Sequence, residues 1–255
     1  MFGVYGAGGR RGAAAVGCAA MALAVLTGCG EGAGEKPADG RGTAGKSPAA
    51  SRPASPAGGL DEAQLTAVAF TDGERVGGFT ASEYTLDGPI GDAYTATPAV
   101  CQPLVSLAGD VSDHEPTAQV QRKVDKPSDI RGVTVDVTLR SYAGDGAAEV
   151  MTSLGRAGEE CAGGLTEERA FARGTYEKVE PVTPPAFAEA DEVKAYRFSI
   201  LDVKGKLKLH EYLTVVRSGS TTLAFRGEVL GTTDFGGIPE AVTTAQWKKF
   251  RAGQA

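Results

Sequence analysis

The stretch GRGTAGKS, from Gly40 to Ser47, matches the phosphate-binding pattern G-x-x-x-x-G-K-[ST] at every fixed position. This motif cradles phosphate where a strand delivers the glycine-rich turn and a helix begins directly after it. No strand-forming run precedes the stretch, and Pro53 and Pro56 would break a helix that followed it. The match therefore predicts no nucleotide site, and we expect Lys46 and Ser47 to be dispensable.

The chain has only two histidines, which limits metal and triad chemistry. His114 lies in the acidic stretch DVSDHEP, which fits an oxygen-rich cation site or, as we favour, a solvated loop. His210 precedes Glu211 but lacks the second histidine of H-E-x-x-H, so no zinc protease is indicated. The esterase pattern G-x-S-x-G and the penicillin-binding pattern S-x-x-K do not occur. The sequence predicts a protein that is not an enzyme and uses no metal or cofactor.

The N-terminus shows, in order, the features of an exported lipoprotein. Arg10 and Arg11 precede Gly12 to Val25, an apolar run of 14 residues, which suits a signal peptide and is short for a bilayer span. The following LTGC, ending at Cys29, resembles the lipobox of bacterial lipoproteins. The resemblance implies cleavage before Cys29, a diacylglyceryl group on its thiol, and acylation of the new amino terminus, with palmitate as the expected chain.

The alternative is an ordinary secretory signal in which Cys29 is incidental, and the arginine pair leaves the export route, general or twin-arginine, open. On the lipoprotein interpretation, residues 1–28 are the signal peptide, 29–59 a lipidated tether and 60–255 one domain. Residues 30–59 contain no Val, Leu, Ile or aromatic residue, so they cannot bury a core. As a flexible coil they reach about 30 Å. We expect the protein on the extracytoplasmic side of the cell membrane, held by membrane lipid through Cys29.

Two cysteines remain once Cys18 leaves with the signal and Cys29 carries lipid. In an oxidising compartment Cys101 and Cys161 predict one disulfide, worth roughly 4 kcal/mol on the chain-entropy model. A reactive or metal-binding pair is the less favoured alternative, since neither histidine lies near them in sequence.

Periodicity predicts an α+β fold, with a largely antiparallel sheet of about six strands, helices packed on one face and one disulfide. Val133 to Ser141 alternates apolar and polar residues, as a half-buried strand does. Three further strands, Val193–Val203, Lys206–Arg217 and Thr221–Leu230, predict an antiparallel meander. The remaining predictions are helices at Asp61–Thr71, from Thr97, at Asp145–Cys161 and at Pro239–Arg251, and strands at Gly78–Leu86, Ala118–Val124 and Tyr176–Val182.

This element order, with TPAVCQPL in the second helix, resembles the PknH-type extracellular sensor domains of actinobacteria, which also occur as free lipoproteins. The resemblance covers Leu60 to Arg251. It implies a ligand-binding cleft of unknown specificity and supplies no catalytic residue. The family is usually held by two disulfides, whereas only Cys101 and Cys161 are available here.

Alternation in the meander predicts a basic sheet face on an otherwise acidic domain. From residue 60 onward the chain has 29 acidic and 20 basic residues, a net charge of −9, which is not a nucleic-acid footprint. The face would gather Lys194, Arg197, Lys206, Lys208, His210 and Arg226, and would recognise an anionic ligand or wall polymer. An ordinary solvated face is the favoured alternative. Glu211, among leucines, indicates a buried carboxylate, an edge position or a register error.

The leading hypothesis is a membrane-anchored lipoprotein with a non-catalytic, sensor-like ligand-binding domain. Its partners would be membrane lipid and an unknown small molecule, wall polymer or envelope protein, with no nucleic acid and no nucleotide. A cell-envelope hydrolase is one alternative, which two cleft carboxylates about 5–9 Å apart would favour. A scaffold that binds another envelope protein is the other, which a large apolar surface patch would favour.

Overall fold

Ten antiparallel strands form a single sheet in the part of the chain that the computed structural model describes, residues 59–84, 94–106, 114–129, 132–169, 172–202 and 204–254. The predicted signal peptide, the lipid site at Cys29 and the tether up to residue 58 lie outside these residues. All of the described residues belong to one unit, Arg52–Ala255. No helix among them is long and apolar enough to span a bilayer.

The strands follow the sheet order β1-β2-β4-β5-β10-β9-β8-β7-β6-β3. Their bounds are β1 Arg75–Val76, β2 Phe79–Ser82, β3 Thr95–Thr97, β4 Ala118–Asp125, β5 Val133–Ser141, β6 Leu165–Arg169, β7 Ala172–Pro181, β8 Glu192–Leu201, β9 Lys208–Ser218 and β10 Thr221–Val229. The helices are α1 Glu62–Val68, α2 Gln102–Ser106, which a 3-10 turn at Ala99–Cys101 precedes, α3 Gly146–Glu160 and α4 Glu240–Ala252.

The α+β class and the antiparallel meander, β8-β9-β10, are confirmed. The prediction of about six strands is wrong, because the described residues contain ten. The unpredicted strands are β1, β3 and β6, which have two, three and five residues. Strands this short show too few alternations for a period of two to be recognised.

Helices cover both faces of the sheet, so the prediction of helices on one face is wrong. On one face, here the α3 face, Leu104 of α2 and Leu154 of α3 pack against Phe198 and Leu213. On the other, the α4 face, α1 and α4 pack against β4, β5, β9 and β10. The two central strands are apolar at consecutive positions, as strands buried on both faces are.

The predicted disulfide between Cys101 and Cys161 is present, with 5.9 Å between the two Cα atoms. Both cysteines are buried in the core of the α3 face. The bond joins the turn before α2 to the end of α3, and it fixes these helices side by side over the sheet.

On the α4 face, Gln246 of α4 joins the two ends of the domain. Its side chain accepts from the backbone N–H of Phe70 at 3.0 Å and donates to the carbonyl of Val68 at 2.8 Å. Both groups lie at the end of α1, where the helix leaves backbone groups without a partner. The fully buried Gln246 amide satisfies them in place of water.

Candidate functional site

The strand register divides the six residues of the predicted basic face. Arg197 pairs with Tyr212 and His210 with Ser199, which places both on the α4 face together with Lys208. Arg226 pairs with Leu213 and points to the α3 face, and Lys206 lies in the turn before β9. The structure therefore does not bring the six residues together, and that part of the prediction is corrected.

Lys194 also lies on the α3 face, because it has the same parity as Tyr196 in β8 and pairs with Val215. Its side chain runs under α3, where a methyl group at Gly155 would come within 2.9 Å of the Lys194 Nζ. The ammonium group pairs with Glu192 at 3.0 Å.

Carboxylates compensate the cations that remain on the α4 face. Arg197 contacts Glu180 at 3.1 Å and Asp234 at 2.6 Å. Lys208 pairs with Glu177 at 2.8 Å. An anionic ligand would compete with these carboxylates, so the region does not have the electrostatics of an anion site.

Arg226 is instead the centre of a buried network on the α3 face, where it is 5% exposed. It forms an ion pair with Glu211 and donates to the hydroxyl of Tyr176 at 2.6 Å and to the carbonyl of Leu104 at 3.4 Å. Tyr176 donates in turn to Glu167 at 2.6 Å. Glu211 is thus a buried carboxylate with a partner, which explains its place among leucines.

The two carboxylates of this network have opposite pKa shifts. Burial raises the pKa of Glu211 despite the opposing charge of Arg226. Burial also acts to raise the pKa of Glu167, but Arg226, Arg169 and the Tyr176 hydroxyl together hold that pKa below its usual value. The network joins α2, β6, β7, β9 and β10, and we interpret it as structural.

A cleft of about 440 Å³ opens on the α4 face beside Arg197. Its floor is formed by β8 and β9, through Ala195, Tyr212 and Thr214. One wall is the loop over residues 182–186, and the other is the loop that leads into α4. The wall residues are Val182, Thr183, Pro184, Pro185 and Ala186 on the first side, and Gly236, Gly237, Ile238 and Glu240 on the second.

Asp234 fixes the second wall of the cleft. It accepts from the hydroxyl of Tyr212 at 2.5 Å, from Arg197 at 2.6 Å and from the backbone N–H of Gly236 at 3.1 Å. Phe235 packs edge-on against the Tyr212 ring, with the centroids 4.8 Å apart. Gly236 has a φ of 81°, in the left-handed region that favours glycine, and it turns the chain toward α4.

These contacts also set the charge states beside the cleft. Burial first, and then Asp234, raise the pKa of Tyr212 to about 12. The Tyr212 hydrogen bond is the largest cause that lowers the pKa of Asp234. Tyr212 therefore stays protonated and Asp234 ionised at neutral pH, and neither is poised to exchange a proton with a ligand.

Thr214 adds a hydroxyl group to the cleft floor. It is 3% exposed and lies beside Ala195 and Tyr212. Glu240 lies at the rim, and with Asp234 it outnumbers the single cation Arg197. The cleft is thus suited to a neutral or cationic polar ligand rather than to an anion.

His114 lies away from this cleft, against α3. Its ring contacts the hydroxyl of Ser153 at 3.3 Å and the carboxylate of Glu149 at 3.6 Å. Asp110 and Asp113, the other members of the acidic stretch, lie outside the described residues. Within the described ranges, no group of three or more His, Cys, Asp or Glu side chains is placed to hold a metal ion.

Sequence reasoning missed the cleft residues Tyr212, Thr214 and Asp234. The signals that mark its walls are TPPAF after β7 and DFGGIPE before α4, two irregular stretches in which proline and glycine are concentrated. Both stretches border the floor that β8 and β9 form. They are about 50 residues apart in the sequence, and no local pattern shows that they lie on opposite sides of one cleft.

Two solved structures show partial similarity to this chain. No family model and no curated protein sequence matches the chain. The chain is similar to the crystal structure of the extracellular domain of PknH from Mycobacterium tuberculosis, with 15% identity, a TM-score of 0.44, and coverage of 76% of this chain and 91% of that one. An uncharacterized protein from Mycobacterium smegmatis matches at 15% identity and a TM-score of 0.35, over 70% of this chain and 90% of the other.

Proposed function

We propose that the protein is an exported lipoprotein whose domain binds a small ligand in the α4-face cleft without changing it chemically, as a sensor domain does. The lipobox at Cys29, the composition of residues 30–59 and the disulfide support an anchored, extracytoplasmic position. The observation that carries the binding proposal is the cleft of about 440 Å³, whose lining combines apolar surface with the polar groups of Tyr212, Thr214 and Glu240.

The size and the polar groups of the cleft suit a small ligand. A ligand that forms one hydrogen bond with Thr214 would gain about 0.5–1.5 kcal/mol from it. The cleft volume of about 440 Å³ falls in the ordinary range for small-molecule sites. Support for binding without catalysis comes from Tyr212 and Asp234, because the Tyr212 proton and the Asp234 lone pairs already form the hydrogen bonds that hold the cleft wall.

The ligand chemistry that fits is a neutral or cationic polar fragment with an apolar part. Pro184, Pro185 and Ile238 offer apolar surface, whereas Thr214 and the rim carboxylate of Glu240 offer polar contacts. Neutral N-acetylated sugars of a bacterial wall, such as oligomers of N-acetylglucosamine, have this mixed chemistry and would be met on the outer side of the membrane.

The binding proposal is tested with oligomers of N-acetylglucosamine. We expect them to raise the Tm of the protein, and Thr214→Val to reduce the affinity about tenfold by removing one hydrogen bond. Thr222→Val is the matched control, because Thr222 is equally buried but lies on the α3 face. Equal loss in both variants, or binding that is unchanged by Thr214→Val, would remove the cleft from the proposal.

Anchoring is tested separately, in cells. We expect the wild-type protein to fractionate with membranes and to enter detergent, and Cys29→Ala to be released as a protein without lipid. If the wild type is equally soluble, the lipoprotein proposal fails, whatever the cleft binds.

A further inference from the structure

One end of the sheet exposes two leucines. Leu207, in the turn between β8 and β9, is 52% exposed, and Leu230, directly after β10, is 75% exposed. They are the exposed large hydrophobic residues among those described. Both lie at the same end, because β9 begins at Lys208, β10 ends at Val229, and the two strands are antiparallel neighbours.

Lysines surround Leu207 within five residues of sequence. Lys204, Lys206 and Lys208 are all exposed. Lys208 also contacts Glu177 at 2.8 Å. In a domain with a net charge of −9, this turn concentrates positive charge next to exposed apolar surface.

The turn is held in shape by Asp202. Its carboxylate accepts from the backbone N–H of Lys206 at 2.6 Å and of Leu207 at 2.8 Å. Gly205, with a φ of 64°, closes the turn through a bond from its N–H to the Asp202 carbonyl at 2.7 Å. Leu207 is thus presented to solvent by a turn that these hydrogen bonds hold in place.

We infer that this tip, defined as Lys204–Lys208 together with Leu230, contacts the anionic surface of a lipid bilayer. Leucine side chains bind at the membrane interface by burying apolar area, and lysine ammonium groups are attracted to anionic headgroups. Each contribution to the binding free energy is modest, and the two add. The inference rests on the proposed lipid anchor, which keeps the tip close to a bilayer and so makes a weak contact effective.

The tether is long enough for this contact. Leu60 donates to the hydroxyl of Ser141 at 2.7 Å, at the end of β5 that lies far from the tip. The nine residues of β5 span about 30 Å. The tether predicted from composition, over residues 30–59, would reach about 30 Å on average. Cys29 and the tip can therefore meet the same bilayer.

The first test uses the chain over residues 30–255, which keeps the whole unit that the described residues occupy and carries no lipid. It is mixed with phosphatidylcholine vesicles that contain about 30% phosphatidylglycerol, and bound protein is measured by sedimentation. We expect binding to these vesicles, weaker binding at high salt, and none to phosphatidylcholine alone. Leu207→Ser with Leu230→Ser should reduce binding at least about fivefold.

A lysine pair supplies the matched control. Lys204→Gln with Lys206→Gln should reduce binding, whereas Arg75→Gln with Lys248→Gln, which removes two charges beside α4, should leave it within about twofold. If both pairs act equally, the contact is a general charge effect and the inference fails. If the leucine variant binds unchanged, it fails as well.

The second test reproduces anchoring in vitro. Cys29 of the chain over residues 29–255 is coupled to a maleimide lipid, since the remaining two cysteines are joined in a disulfide. Tryptophan is introduced at Leu207 or, as a control, at Lys248, and brominated lipids should quench only the first. This coupling does not depend on lipidation in cells or on the cleft, so its failure is separable from failure of the proposed function. Absence of quenching at residue 207, or dimerisation that the leucine variant abolishes, would overturn the inference.

Discussion

Replacing Arg226 with methionine removes the cation on which the buried network of the α3 face depends. Glu167 keeps Arg169 and the Tyr176 hydroxyl as partners, so the carboxylate that loses its ion pair is that of Glu211. The Glu211 side chain is only 13% exposed. Breaking one side of a buried pair costs about 3–5 kcal/mol, and we expect Arg226→Met to lose roughly 4 kcal/mol of unfolding free energy at pH 7.5.

The loss should depend on pH with a definite sign. The pKa of Glu211 is already raised by burial above its usual 4.5, and without Arg226 it will rise further. A carboxyl whose folded pKa is raised is protonated in both states at low pH, where it costs nothing. It destabilises the fold as the pH rises from about 4.5 through the folded pKa. The deficit of Arg226→Met should therefore be smaller at pH 5 than at pH 7.5.

The coupling between Arg226 and Glu211 is measured by urea unfolding of the two single variants and the double variant. Adding Glu211→Gln to Arg226→Met removes the stranded charge and should recover at least about 2 kcal/mol at pH 7.5, with little recovery at pH 5. A loss below about 1 kcal/mol for Arg226→Met, or additive effects of the two substitutions, would refute the view that this pair is a desolvated, coupled unit.

Three further substitutions test the packing, each by urea or thermal unfolding. Gly158→Ala would place a methyl group 2.3 Å from the ring of Tyr196 and should cost about 1–3 kcal/mol. Gly155→Ala, in the same helix, meets only the movable end of a lysine and should be neutral or slightly stabilising. Gln246→Leu leaves two buried backbone groups unsatisfied and should cost about 2–4 kcal/mol, against about 1 or less if water replaces the amide. Replacing both disulfide cysteines with alanine should cost about 4 kcal/mol, and no change in Tm would contradict the entropic estimate.

The elements that the sequence predicts well are those with a strong local pattern. β5 alternates over its full length and is found at the predicted residues, Val133–Ser141. The disulfide was predicted from the oxidising compartment and from the two cysteines that remain once Cys18 and Cys29 are accounted for. The short strands β1 and β3 have no such pattern, because their position depends on pairing with neighbours that are distant in sequence.

The basic face was mispredicted for a physical reason. Alternation shows which residues of a strand share a face of the sheet, but it does not show which of the two faces that is. Val215 lies on the α3 face beside Ala224 of the neighbouring strand, whereas Leu223 points to the α4 face. Both parities are buried in the central strands, so the rule that apolar residues point inward does not choose between them. Arg226 was consequently assigned to the wrong side.

The end of the first helix, α1, can complete its hydrogen bonds only when Gln246 of the last helix, α4, is in place. Residues at the end of α1 obtain their hydrogen-bond partners only from a side chain about 176 positions later. Likewise β5, near the middle of the chain, acquires its second neighbour only when β10 is present. A chain that emerges from the ribosome with its N-terminus first would therefore stay incomplete until nearly all of it has been synthesised, and folding would close the two ends in one late step.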